Sequence, residues 1–216
     1  MSSLLPRLEF GASIDDAEMT VILMHGLGAD GYDFADVADA MTKAAENRRW
    51  RFVLPHAPEI PVTVNMGMVM PAWYDIIDMS QPRNVDWETV ATSTAQIDAL
   101  IEAESAEKII LAGFSQGGAM ALHVGLRRQK KIAGILAMSG YLLESESHPC
   151  PDKEVDLPIA IFHGSADPVV PLVAAEFSIK TLQEKGFSLT SQIYPGLEHS
   201  LFEKEIQDVF AWLEER

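Results

Sequence analysis

Cysteine is nearly absent. Cys150 stands alone, so no intramolecular disulfide can form, and no Cys/His set has the spacing of a zinc site. Both absences fit a reducing compartment and give no reason to expect a metal. Basic residues are scarce too: 16 Lys and Arg stand against 32 Asp and Glu, a net charge of −16 spread along the chain rather than gathered in a tail. Such a surface repels polyanions, which argues against nucleic acid as a partner and gives anionic membranes no electrostatic attraction. Long apolar runs are missing. No stretch has the length needed to span a bilayer, and Met1 to Arg7 show neither a basic n-region nor an apolar h-region. Stable membrane insertion is therefore not expected, and a cytoplasmic location is the default. The G-x-x-x-x-G-K-[ST] spacing of a phosphate loop is absent, no nucleotide is implied, and no cofactor is expected. Repeats and low-complexity tracts are also lacking, and 216 residues suffice for one sizeable core, so residues 1–216 read as a single domain.

What is present centres on Gly113-Phe114-Ser115-Gln116-Gly117. The apolar run Lys108 to Ala112 has the character of a strand buried on both faces, and Ala119 to Leu122 are strong helix formers. Strand, tight G-x-S-x-G turn and helix make a nucleophile elbow, which pushes Ser115 out toward substrate. The helix behind it aims free N–H groups and the positive end of its dipole at an oxyanion, with the Gln116 N–H as one donor. Earlier in the chain, Thr20 to Met24 reads as a strand ending in the glycine-rich turn His25-Gly26-Leu27-Gly28. A loop so placed supplies a second oxyanion donor, here the Leu27 N–H, while His25 braces it.

Elsewhere strands and helices alternate. Helical patterns cover Asp33 to Ala45, Val85 to Glu104, Leu172 to Lys185 and Leu201 to Glu215, and further strands Arg51 to Leu54, Ile132 to Met138, Pro158 to Phe162 and Ser188 to Tyr194. That alternation predicts an α/β fold, a mostly parallel central sheet with helices on both faces. Glu59 to Arg83 reads as a long irregular connection rich in methionine, and Leu142 to Val155 as a polar surface excursion. The former reads as a cap whose methionines form a pliable wall, with core packing as the competing reading. Met66, Met70 and Trp73, together with Val169 near Asp167, are the candidate substrate contacts.

Loops at the carboxyl ends of the strands carry Leu27, Ser115, Asp167 and His199. Ser, then Asp, then His is the chain order of this architecture. A serine hydroxyl needs a base, an imidazole can accept and return its proton, and a carboxylate fixes the imidazole's tautomer. Glu198, beside His199, is the rival acid. Asp167 precedes Pro168, which favours extended backbone and presentation from a strand-end loop.

These residues carry a resemblance to a family. His25-Gly26-Leu27-Gly28, Pro55-His56-Ala57-Pro58, Pro71-Ala72-Trp73-Tyr74-Asp75, Gly113 to Gly118, Ser139-Gly140-Tyr141, His163-Gly164 through Asp167-Pro168-Val169-Val170-Pro171, and Glu198-His199 together resemble the carboxylesterase and acyl-protein thioesterase family of α/β-hydrolases. The resemblance runs from the first strand to the last helix. It implies a compact hydrolase with a minimal lid, with Ser115, Asp167 and His199 as triad, Leu27 and Gln116 as oxyanion donors, and Trp73 near the substrate. The loop Ala29 to Phe34 looks more like the bacterial esterase branch. The expected activity is hydrolysis of short- to medium-chain acyl esters through an acyl-enzyme on Ser115. Protein thioester hydrolysis is the alternative, using the same chemistry. Two non-enzymatic readings remain: a hydrolase-like protein that holds a hydrophobic ligand, and an interaction protein whose stretch Met66 to Tyr74 meets a partner or forms a homodimer.

Overall fold

Apolar runs of five to seven residues, separated by helical stretches, leave the chain one economical arrangement: a sheet sandwiched between helices. The computed structural model describes residues 4–45, 48–80 and 83–216. The expectations about Met1 to Ser3, and about Gln81 and Pro82 in the proposed cap, lie outside the described residues. The strands are β1 (Arg7–Gly11), β2 (Met19–Met24), β3 (Trp50–Pro55), β4 (Glu59–Val62), β5 (Met68–Pro71), β6 (Ile76–Asp78), β7 (Asn84–Val85), β8 (Lys108–Phe114), β9 (Gly134–Met138), β10 (Ile159–Gly164) and β11 (Leu189–Tyr194). The helices are α1 (Ala35–Ala44), α2 (Trp87–Ala103), α3 (Gln116–Arg127), α4 (Leu172–Glu184) and α5 (Glu203–Glu214).

Seven strands form the central sheet in the order β1-β3-β2-β8-β9-β10-β11. All neighbours are parallel except β1, which runs antiparallel to β3. Successive side chains of a strand point to opposite faces, and both faces are covered. Ile22, Met24, Leu111, Ile135 and Ile159 pack with Ile97 and Leu100 of α2, Met120 and Leu122 of α3, and Leu182 of α4. Val21, Leu23, Ile110, Leu136 and Ala160 pack on the other face with Ala38 and Met41 of α1 and with Val209 and Trp212 of α5. The expected α/β layering, a mostly parallel central sheet with helices on both faces, is thus observed.

Three segments differ from the sequence reading. Strand β1 was not anticipated: it has no β-branched residue, and only Leu8 and Phe10 turn inward while Glu9 and Arg7 ion-pair outside. The stretch from Glu59 to Arg83 is not irregular, since β4 and β5 form an antiparallel hairpin and β6 and β7 a second pair. Its apolar residues divide, with Val62, Ala72, Trp73, Tyr74 and Ile76 buried and Met66, Met68, Val69 and Met79 exposed. The excursion after β9 is only partly surface, because Leu142, Leu143 and Cys150 join the core. Burial pushes the Cys150 thiol up to about 11, so it stays protonated and inert at neutral pH.

Glu205 on α5 opposes folding at neutral pH. Its carboxyl is fully buried, neither oxygen has a hydrogen-bond partner, and burial together with nearby Asp208 raises its pKa from 4.5 to about 7. A raised folded-state carboxyl pKa contributes stability that is full below the unfolded value and lost as pH climbs through the folded one. Relative to Glu205→Gln, the wild type should therefore lose about 3 kcal/mol between pH about 4.5 and about 7, then run parallel to it. Urea unfolding of both proteins from pH 4 to 8 measures this difference. A constant difference across that range would refute the burial-driven shift.

Candidate active site

Strand β8 runs in the middle of the sheet and delivers the chain directly into α3, with Ser115 as the single residue between them. Ser115 has φ 54° and ψ −116°, a strained backbone for a residue with a Cβ. Its N–H is held by the Met138 carbonyl at 2.9 Å, which ties the turn to the neighbouring strand β9. The tightness of the turn explains the flanking glycines. A Cβ on Gly113 would lie 2.2 Å from the Gly117 carbonyl carbon, and one on Gly117 would lie 2.2 Å from the Met24 oxygen of β2.

The loops after β10 and β11 meet this turn from one side. His199 Nε2 lies 2.9 Å from Ser115 Oγ, and His199 Nδ1 lies 2.6 Å from Asp167 Oδ2. The Asp167 carboxylate can only accept, so Nδ1 carries the proton and Nε2 is left to accept from the serine hydroxyl. Asp167 has a fully buried side chain, and its other oxygen takes the backbone N–H groups of Val169 and Val170, both at 2.8 Å. His163 stands 3.8 Å from the same carboxylate, but its Nε2 donates to the Val170 carbonyl at 2.9 Å and burial lowers its pKa, so it remains neutral. The Phe114 ring packs against His199, with centroids 4.8 Å apart. The rival Glu198 takes no part in this hydrogen-bond chain.

On the other side lies the turn after β2. It does have the G-x-G-x-x-G spacing of a dinucleotide loop, from Gly26 to Gly31, which a reading for phosphate loops has to answer. Two of its three glycine N–H groups are spent elsewhere: Gly28 donates to the Pro71 carbonyl at 2.8 Å and Gly31 to His56 Nδ1 at 3.2 Å. The side chains of Asp30 and Asp33, at the start of the next helical turn, also oppose a pyrophosphate. His25 is the brace. Its Nε2 accepts the Ala57 N–H at 3.0 Å while Nδ1 donates to the Gly26 carbonyl at 2.7 Å, and burial lowers its pKa and keeps it neutral. A Cβ on Gly26 would sit 3.5 Å from the Ser115 Cβ, which places the adjoining Leu27 at the elbow. Gln116 opens α3, so its N–H is one of the helix's orphan donors.

Sequence reasoning missed a clamp. The Gln116 side chain accepts the Trp73 N–H and donates to the Tyr74 carbonyl, both at 2.8 Å. Trp73 also donates its indole N–H to the His25 carbonyl at 2.9 Å. A glutamine inside G-x-S-x-G was the available signal, but its partners lie over forty residues away in sequence. Trp73 is accordingly fully buried behind the turn, where substrate does not reach it in this conformation. Met66 is 94% exposed at the hairpin between β4 and β5, and nothing holds it against the serine. Met70 lies against the turn after β2, its sulfur 3.7 Å from the position of a Cβ on Gly28. Val169 stands half exposed two residues from Asp167. A depression of about 730 Å³ lies among Met19, Trp50 and Lys108, where β2, β3 and β8 begin, at the opposite end from this cluster.

The profile of the phospholipase/carboxylesterase family matches residues 8–215. The chain belongs to that family. It is a hydrolase of α/β type, and its relatives include proteins named acyl-protein thioesterase 1. The one from Neurospora crassa is 41% identical over 211 residues, 91% of this chain and 86% of the relative. That from Gibberella zeae is 38% identical over 208 residues, 90% and 88% of the two chains. Among solved structures, Arabidopsis thaliana SOBER1 superposes with a TM-score of 0.82 at 28% identity, covering 92% of this chain and 99% of the other. Esterase PE8 gives 0.79 at 26% identity, covering 99% of each.

Replacing Gln116 by Ala should leave the Trp73 N–H and the Tyr74 carbonyl buried and unpaired. The expected cost is about 2–4 kcal/mol, read as a lower urea midpoint at unchanged slope. An unchanged midpoint would show that the clamp contributes nothing.

Proposed function

We propose that Ser115, His199 and Asp167 are the nucleophile, general base and orienting acid of a serine carboxylesterase. The observation that carries this reading is the continuous hydrogen-bond chain from Ser115 Oγ through His199 to Asp167, at 2.9 and 2.6 Å. Ser115 Oγ attacks the ester carbonyl while His199 Nε2 takes its proton, and the Leu27 and Gln116 N–H groups receive the oxyanion. The imidazolium so formed is stabilised by the Asp167 carboxylate, which keeps its charge. His199 then protonates the leaving alcohol. Water, deprotonated by His199, attacks the acyl-enzyme and releases the acid together with free Ser115.

Short- to medium-chain acyl esters are the proposed substrates, with Met70 and Val169 as the contacts placed to touch them. A second reading, hydrolysis of thioesters on acylated proteins, draws support from the names of the fungal relatives. It needs no change in the chemistry, only in what the surface recognises. Exposed Met66, Met68 and Val69 offer an apolar projection either to such a substrate or to a second copy of the chain. Among the described residues, no helix is long and apolar enough to cross a membrane.

Steady-state hydrolysis of p-nitrophenyl esters of increasing acyl length tests the mechanism. Ser115→Ala and His199→Ala should each lower kcat by up to about 10⁶-fold, with little further loss when the two are combined. Wild-type rates in Ser115→Ala protein would end this reading, whichever ester is best.

A further inference from the structure

Next to the loop that carries Asp167 lies a cleft of about 280 Å³ lined by Arg83, Tyr141, Leu142, Val173, Phe177 and Ser178. Its walls are apolar, and the outer ones are open to solvent: Val173 and Phe177, one turn apart on α4, are about half exposed. Ser178 has no donor left to offer an anion, because its hydroxyl donates to the Ala174 carbonyl at 2.7 Å and accepts the Leu142 N–H at 2.9 Å. Arg83 is different. Only 8% of it is exposed, yet no carboxylate among the described residues pairs with it.

A guanidinium has five N–H donors. One Nη of Arg83 meets the Met79 sulfur, a weak acceptor, the other donates to the Val169 carbonyl, and Nε, although buried, has no partner. The Tyr141 ring lies 5.7 Å below the cation. Apart from the exposed Asp78 carboxylate, which it helps to keep ionised, this buried cation is held by a carbonyl, a thioether and a ring, and much of its desolvation cost stays uncompensated. A ligand oxyanion arriving through the cleft would supply the missing partner in the planar geometry that arginine favours. The same guanidinium touches Val169, whose N–H is bound by Asp167, so the occupant of this cleft would lie beside the catalytic loop.

We infer that this cleft is a specificity subsite for the anionic end of an aliphatic substrate chain, with Arg83 binding a free carboxylate at the end remote from the scissile ester. The inference rests on the esterase reading for what the other end of that chain does. At roughly 30 Å³ for a small group the size of a water, the cleft holds about nine heavy atoms, enough for a short carboxylate-tipped chain. Recognition of an anion is notable in a protein whose net charge of −16 disfavours anions everywhere else.

Binding to Ser115→Ala protein, followed by isothermal titration calorimetry at low ionic strength, tests this without turnover. The probes are monoethyl suberate, which carries a free carboxylate, and ethyl octanoate, which does not. Monoethyl suberate should bind about 10- to 100-fold more tightly, and adding Arg83→Gln should remove that preference while leaving ethyl octanoate nearly unchanged. Equal affinities in Ser115→Ala protein, or a preference that survives Arg83→Gln, would overturn the inference. Should the Gln variant fail to fold, the Nε–Hε resonance of Arg83 in Ser115→Ala protein decides. A shift with monoethyl suberate and none with ethyl octanoate supports the subsite, and no shift with either refutes it. Hydrolysis of the probes by Ser115→Ala protein would count against the triad instead, and the binding comparison would still be read with the resonance.

Discussion

The close approach of β2, β8 and α3 at the elbow is the constraint on which the site depends. A strained serine such as Ser115 costs on the order of 1–3 kcal/mol unless its surroundings over-determine it. Here they do. β8 is paired on both sides, by β2 from Met19↔Lys108 to Met24↔Gly113 and by β9 from Ile110↔Gly134 to Phe114↔Met138. The Met138 carbonyl fixes the Ser115 N–H, and the absence of side chains at Gly113 and Gly117 lets the helix start against the strand ends. The sheet therefore holds the backbone strain, and the hydroxyl is free to face the imidazole.

Charge placement follows from the same framework. A buried carboxylate is expensive unless each oxygen finds donors, and Asp167 meets that requirement with two backbone N–H groups on one oxygen and His199 on the other. His163, 3.8 Å from the same carboxylate, nevertheless stays neutral, because burial outweighs the pull of Asp167 and its Nε2 proton is committed to the Val170 carbonyl. Only one histidine in the cluster is both bonded to the acid and within reach of Ser115. His25 is likewise held neutral, which makes it a brace for the turn after β2.

What could be read from the sequence divides along a physical line. Local patterns gave the parallel strands, the helices and the turn bearing Ser115, because burial on both faces and helical periodicity are written in consecutive residues. Chain order then singled out Asp167 and His199, and the structure brings His199 within hydrogen-bond distance of both Asp167 and Ser115. What depended on long-range partners was not legible. Trp73 carries the composition of a binding-site aromatic, but its indole N–H is claimed by a carbonyl 48 positions earlier, which turns it inward. Met66 reads like Met70 in sequence, and only the hairpin register between β4 and β5 separates a residue in solvent from one beside Gly28. β1 failed for the opposite reason, since an edge strand needs only half its residues apolar and this one offers Leu8 and Phe10 alone.

Two buried arginines show how partner choice separates support from recognition. Arg51 lies under the sheet edge with Glu104 Oε2 at 3.0 Å and Glu9 Oε2 at 2.8 Å, and Thr20 donates to the same Glu104 oxygen. Each of these groups is answered, so the cluster fixes β1 to β3 and asks for nothing from outside. Arg83 is similarly buried in a chain with twice as many acidic as basic residues, so its lack of an ion-pair partner among the described residues is not for want of carboxylates. Removing one partner of a buried ion pair typically costs several kcal/mol, and a purely structural cation would be expected to have its acid supplied by the fold. A guanidinium that lines a cleft with its Nε unpartnered and no carboxylate paired to it, next to the loop that positions Asp167, is better explained by a partner that arrives with the substrate.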